Sequence, residues 1–355
     1  MTASIRSQDI QRVLAEDLPW HRLDGATVLI TGAGGFLPGQ IVDVLLARNT
    51  AVDRHERTQV IGLVRDLTKA ESRFRSNTQD GLSLIAGDAS RPPAIDGPID
   101  FVIHAASPAT PTVYSVDPVG VWSVNALGTA ALLDVARERD SRGFLLISSG
   151  EVYGVVDSAQ VPMKESTVGL VDQLQVRSCY AEGKRAAENA CVAWAHQHAV
   201  NAVIARPFHT YGPGMPLADG RVFSDFVDSI LRRAPIRLLS DGRARRAFCY
   251  SADAVAGFFT ALLLGAKGEA YNVGNPDAET SILELANTLV AAFPERSLRL
   301  EHAARPTGST YLESPISRNS PNVDRLKALG WGPRTGIVDG FRRTVTAFEQ
   351  DLGQD

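Results

Sequence analysis

The apolar run Ala26–Thr31 (ATVLIT) leads straight into Gly32-Ala33-Gly34-Gly35-Phe36-Leu37, and a helical pattern follows from Phe36 to Arg48. A strand, a glycine turn and a helix in immediate succession make a phosphate cradle. The glycines let the backbone turn tightly and approach a pyrophosphate, and the helix start offers free N–H groups at the positive end of its dipole. Gly32, Gly34, Gly35, Phe36 and Leu37 are therefore expected to hold a dinucleotide. The spacing Gly32-x-x-Gly35-x-x-Pro38 puts a proline where a third glycine is expected. In a first helical turn the missing N–H costs little, so binding is expected to survive with a slightly shifted helix.

The alternation continues along the chain. Gln59–Val64, Leu82–Ala86, Phe101–His104, Gly143–Ser148 and Ala202–Ala205 are short apolar runs, and Trp122–Arg139 and Cys179–His198 are long enough for helices. Strands alternating with helices imply parallel pairing and an α/β doubly wound parallel sheet. After Arg206-Pro207 comes an irregular stretch rich in Pro and Gly. Short strands (Ile236–Leu239, Ala270–Val273) and helices (Val222–Arg233, Ile282–Phe293, Ile337–Phe348) then mix. This predicts an N-terminal extension over 1–25, a dinucleotide-binding domain over 26–205 and a smaller mixed α/β substrate-binding part over 206–355. In the extension, Ile5, Ile10, Val13, Leu14 and Leu18 mark a short amphipathic helix that packs on the body or on a partner subunit.

Composition narrows the function. With 36 Lys and Arg against 40 Asp and Glu, the net charge of -4 lacks the basic excess of a nucleic-acid binder. Cys179, Cys191 and Cys249 are odd in number and fit no zinc spacing, so they read as free thiols in a reducing compartment. No His/Asp/Glu cluster has metal spacing, and no metal is expected. The first 25 residues are polar and mixed in charge, without a signal-peptide core, and no later stretch reads as a membrane span. The expected location is cytoplasmic, with no membrane partner.

The second strand ends in Leu63-Val64-Arg65-Asp66. An acid at its end would hold the adenosine ribose hydroxyls. Arg65 stands there instead, and it suits a 2′-phosphate or the adenine face. NAD and NADP both stay open. Asp88, after the third strand, either holds the adenine or ends the strand. Tyr180 and Lys184 lie four apart in a helical segment and share one face. A lysine beside a tyrosine stabilises the phenolate. Ser149, at the end of the fifth strand, is placed to hold a substrate oxygen.

These motifs occur in one order: TGAGGFL (31–37), GD (87–88), HAASPATP (104–111), NALGT (125–129), SSGEVYG (148–154), CYAEGK (179–184), RPFHTYGPG (206–214), RAFCY (246–250), YNVGNP (271–276) and LGW (329–331). Together they resemble the extended short-chain dehydrogenases, the NAD-dependent epimerase/dehydratase family, with a Rossmann domain. Among subfamilies, HAASPATP, SCYAEGKRAAE and Asp219–Val222 look most like UDP-glucuronate decarboxylases, with dTDP-glucose 4,6-dehydratases next.

The resemblance implies a nucleotide-diphosphate sugar as substrate and a transient 4-keto sugar. Tyr180 would take the proton of the 4-hydroxyl while hydride passes to the nicotinamide, and Lys184 would also hold the nicotinamide ribose. Ala105, Ala106, Asn125 and Pro207 would line the cofactor site. Ser107, Ser149, His209, Arg221, Val222, Arg246, Arg305 and Arg318 would meet the substrate, the arginines through its phosphates. After the position of Ser149, dehydratases of this family show Asp-Glu and decarboxylases Ser-Glu; this chain has Gly150-Glu151. Glu151 keeps a base or carboxylate-neighbour role open, whereas Gly150 leaves both the Asp and the Ser role empty. A 4-epimerase needs no residue there. A net NADPH-dependent 4-keto-sugar reductase, favoured by Arg65, and a non-catalytic cofactor-binding protein are the alternatives. The helices at 122–139 and 179–198 resemble a four-helix dimer interface, so a homodimer is expected.

Overall fold

The computed structural model describes residues 3–75, 81–217, 219–303, 312 and 314–353. The chain opens with α1 (Ile5–Leu14), β1 (Thr27–Thr31), α2 (Phe36–Asn49), β2 (Gln59–Val64), α3 (Leu67–Phe74), β3 (Leu82–Ala86) and β4 (Phe101–His104). It continues through α4 (Pro111–Val116), α5 (Pro118–Glu138), β5 (Gly143–Ile147), α6 (Ser178–Gln197), β6 (Ala202–Pro207), β7 (Thr210–Tyr211) and α7 (Val222–Leu231). Then come β8 (Ile236–Leu238), β9 (Arg245–Ala247), β10 (Cys249–Tyr250), α8 (Ser251–Leu264), β11 (Ala270–Val273), β12 (Glu279–Ser281) and α9 (Ile282–Ala292). The last elements are β13 (Leu300–His302), β14 (Arg318–Asn319), α10 (Asp324–Lys327) and α11 (Ile337–Leu352).

Seven parallel strands form the main sheet in the order β11-β6-β5-β4-β1-β2-β3. β4 and β5 are buried at every residue, as strands covered by helices on both faces must be. The order reverses between β1 and β4, so a crevice opens at their carboxyl ends, where ligands of such sheets bind.

The predicted strands and long helices appear within a few residues of their expected bounds. The part from 206 on does not stand apart from the sheet: β11 forms its edge beside β6, and α8 packs on β5 and β6. α1 packs on the body, against α2, α8 and α11. Its buried Asp9 accepts from Tyr250 Oη at 2.6 Å and from Arg343 Nη2 at 2.6 Å, which locks the helix onto α11 and the start of α8. One expectation needs correction. Pro118–Glu138 is long and apolar enough to cross a membrane by composition. In this fold that helix, α5, packs along α6 and against β4 and β5.

Candidate active site

The crevice holds a cavity of about 570 Å³. Its floor is the glycine turn. Gly32 has φ 68, and a Cβ there would sit 2.9 Å from Ala106 Cα, so only glycine allows this approach. The Ala105–Ala106 corner is pinned by Thr31, whose Oγ1 accepts from both N–H groups at 3.1 and 3.0 Å. His104 Nδ1 lies 2.8 Å from the same oxygen, and burial holds this histidine neutral, with its pKa lowered to about 3. Gly35 precedes α2 with no side-chain cap, which leaves the helix start facing the cavity. Pro38 lies in the first turn of α2 and is buried, as expected.

Gly32, Gly34, Gly35, Phe36, Leu37, Arg65, Asp88, Ala105, Ala106, Ser107, Tyr180, Lys184, Pro207 and Arg221 all line this cavity. Ser107 Oγ is buried there without a protein partner, as a group facing a polar ligand would be. At the far end, the Ser90 N–H, with Arg65 and Arg91, keeps the Asp88 carboxyl below its ordinary pKa. Lys69, missed from the sequence, joins Arg65 at that end. Its position on the first turn of α3 was the available signal. The uncapped helix, the glycine floor and the orphaned hydroxyl fit a nicotinamide dinucleotide.

The reacting end is built from β5 and α6. Ser149 follows β5 and starts a tight turn at Gly150–Tyr153; its Oγ accepts from Glu151 N at 3.1 Å and is hydrogen-bonded to Tyr180. Lys184 lies one helical turn beyond Tyr180, with Nζ 6.0 Å from the Tyr180 ring centroid and donating to Ile147 O at 2.6 Å. Burial lowers the Lys184 pKa to about 7 against the pull of Glu188. Burial also pushes the Tyr180 phenol up to about 12, opposed by its hydrogen bond with Ser149. Glu188 is held from behind by Arg206, at 2.9 and 2.6 Å, and by Ser148 Oγ at 2.6 Å. Tyr114, from α4, stacks on the Tyr180 ring with centroids 5.1 Å apart.

Glu151 is not free. Arg177, just before α6, donates from Nη1 to Glu151 Oε2 at 3.0 Å. Both charges, and that of Arg221, are close enough to act on the Tyr180 hydroxyl. Sequence reasoning missed Arg177 and Tyr114. Arg177 lies three residues before Tyr180, but only the fold shows that it meets Glu151. Gly150 is covered by Phe208: a Cβ at 150 would meet that ring at 2.9–3.0 Å.

His209, with φ 25, is half-buried beside Arg246 and Arg221, and desolvation, with these charges, holds its pKa well below the ordinary range. The Arg246 guanidinium donates to the carbonyls of Ile316 at 2.7 Å and Arg245 at 2.8 Å. Arg221 is clasped by Asp219 at 2.6 Å and opens α7, whose first residue is Val222. One expectation changes. Arg318 pairs across from Arg245 in the β14–β9 ladder and is bidentate to Glu279 at 2.7 and 2.9 Å, so it serves that ion pair rather than the cavity. Asn125 is buried at the contact of α5 with Gly183 of α6, where its Nδ2 donates to Val121 O at 2.7 Å and its Oδ1 has no protein partner. Arg305 lies outside the described residues. No metal-binding cluster of His, Cys, Asp and Glu occurs among the described residues.

The family model for the NAD dependent epimerase/dehydratase family matches residues 28–274. A UDP-glucuronic acid decarboxylase of Arabidopsis thaliana is 33% identical over 336 residues, covering 93% of this chain and 70% of the relative. Among solved structures, a dTDP-glucose 4,6-dehydratase of Streptomyces venezuelae with NAD bound superposes with a TM-score of 0.74 at 23% identity, covering 92% of this chain and 98% of the other. A UDP-glucuronic acid 4-epimerase of Bacillus cereus in complex with UDP-glucuronic acid and NAD gives 0.75 at 21% identity, covering 91% and 99%. The matched span takes in the glycine turn, Ser149, Tyr180 and Lys184, and the chain is an enzyme belonging to the NAD-dependent epimerase/dehydratase family.

Proposed function

We propose that this enzyme decarboxylates a UDP-linked glucuronate through its 4-keto form. Position 150 turns the reading away from dehydration, and the likeness to a UDP-glucuronic acid decarboxylase over 93% of the chain carries it to decarboxylation. Expelling a C6 hydroxyl requires an acid there, and Gly150 has no side chain and is sealed by the Phe208 ring. Loss of carbon dioxide requires no such acid. When bound, a nicotinamide dinucleotide accepts the C4 hydride and later returns it. Tyr180 takes the 4-hydroxyl proton, and Ser149 holds the same oxygen. The resulting 4-keto uronate is a β-keto acid: its C5–carboxylate bond breaks, the electron pair passes into the C4 carbonyl, and a proton replaces the carboxylate at C5. The Ser149 and Tyr180 hydroxyls are placed to stabilise the C4 oxyanion that develops. Arg221 and Arg246, both close to the neutral His209, suit the diphosphate.

At the adenosine end, Arg65 and Lys69 stand where a carboxylate would select NAD. They favour NADP binding alongside NAD, and in a redox-neutral cycle either cofactor is retained. The test is incubation with UDP-glucuronate, mass spectrometry of the product, and identification of the dinucleotide released on denaturation. A UDP-pentose with no net change in cofactor redox state is expected. Loss of water, or a product of unchanged mass, would overturn the reading.

The chain is proposed to act as a homodimer through α5 and α6. Val119, Trp122 and Leu127 on α5 and Val192 on α6 are exposed apolar residues on these two adjacent helices. Light scattering should give twice the chain mass; a monomer at micromolar concentration would refute the assignment.

A further inference from the structure

We propose that Arg177 is the residue that lets this site accept a sugar carrying a carboxylate at C5. The proposal rests on the uronate reading above. The argument starts from Glu151. It sits two residues after Ser149 and close enough to the Tyr180 hydroxyl for its charge to oppose phenolate formation. A sugar whose C4 oxygen lies on Ser149 and Tyr180 has its C5 substituent only one carbon away. An uncompensated Glu151 would therefore face the C5 carboxylate of a uronate at short range, in a site where burial leaves little water to screen the repulsion. A neutral hydroxymethyl group at C5 would meet no such penalty.

Arg177 removes that charge. Its Nη1 donates to Glu151 Oε2 at 3.0 Å, and only about a fifth of each side chain is exposed. Its Nε is directed to the carbonyl of Leu312 at 3.4 Å, and Leu312 packs with Tyr114 and Tyr180. The guanidinium thus sits at the base of α6, beside the reacting tyrosine. The Glu151–Arg177 pair presents no net charge to the C5 substituent. The pair also explains why Glu151 need not be a free base: decarboxylation removes no C5 proton.

The test reads ligand preference rather than turnover. The NAD-loaded enzyme carrying Tyr180→Phe is titrated calorimetrically with UDP-glucuronate and with UDP-glucose. In this parent, UDP-glucuronate is expected to bind more tightly. Adding Arg177→Gln should lower the glucuronate-to-glucose affinity ratio at least tenfold. Adding Glu151→Gln alone should raise the ratio, and the double substitution should return it near the parent value. A residue that merely supports the fold would shift both sugars together and would not give opposite signs for the two partners. A ratio unmoved by Arg177→Gln, or equal losses for both sugars, would overturn the assignment to Arg177 while leaving the uronate reading intact. A parent that does not favour UDP-glucuronate at all would instead sink the uronate reading, and this inference with it.

Discussion

Lys184→Met should lower turnover on the order of 10²–10⁴-fold, the usual worth of a positioned acid–base group, while making the folded protein more stable near neutral pH. Both effects come from one buried ammonium. Lys184 lies beneath the Tyr180 ring, and burial pushes the phenol up to about 12 when no ligand helps it. A cation beside it should lower the cost of the phenolate that forms once substrate and cofactor are bound. Without that cation, the remaining activity should rise with pH from neutral into the alkaline range, as more phenolate forms. The same cation is costly to bury. Its folded value of about 7 lies below the unfolded 10.5, so between these values the unfolded chain binds the extra proton. Stability therefore rises with pH across that window, and below about pH 7 the full cost of burying the charge is present. Methionine removes the charge and keeps most of the volume, so the gain should reach a few kcal/mol at most, offset by the lost attraction to Glu188 and the lost bond to Ile147 O. Thermal unfolding of both proteins at pH 6, 7 and 9 checks it. A variant no more stable than its parent at pH 6, or one with unchanged turnover, would refute the account.

How much of this was readable beforehand depends on the range of the interaction. The glycine turn, the strand runs and the Tyr180–Lys184 pair are local signals: a period of two or of 3.6 and a spacing of four need no knowledge of the rest of the chain. What was not readable depends on residues distant in sequence. Arg177 finds Glu151 only because the turn after β5 faces the start of α6. Arg318 carried a charge suited to phosphate, but strand alternation sends it, with Arg245, to Glu279, which the two arginines hold at about 2. Asn125 belongs to a motif of the family, but only the fold shows that its Nδ2 is taken up by Val121 O within α5 while its Oδ1 keeps no protein partner. The apolarity of α5 is likewise ambiguous in the sequence, because a helix buried against a neighbour and a sheet has the composition of a membrane span.

Gly150 shows the same limit most sharply, and it yields the second large effect. From the sequence it is an empty position, without the Asp or the Ser. In the fold the space belongs to Phe208, a fully buried ring 6.0 Å from Tyr153 by centroid and backed by Gly274, where a Cβ would come within 3.1 Å of Phe208 Cβ. Gly150→Asp, which restores the acid of a dehydratase, should therefore not create dehydration. Its Cβ would overlap the ring, and its carboxylate would be buried without a partner. Overpacking together with a buried charge should cost about 3 kcal/mol or more, a fall in Tm of roughly 4 °C or more for a chain of this length. Displacing Phe208 also moves Pro207, on the cofactor wall, and His209, beside Arg221 and Arg246, so activity should fall with stability. Phe208→Ala in the same chain makes room and should recover part of the lost Tm without recovering the rate, because the ring's support of its neighbours is gone. Calorimetry of the single and double variants reads this directly. If Gly150→Asp melts with the parent, Phe208 does not close the position. If it releases water from a UDP-hexose, the missing acid alone separated this chain from a dehydratase.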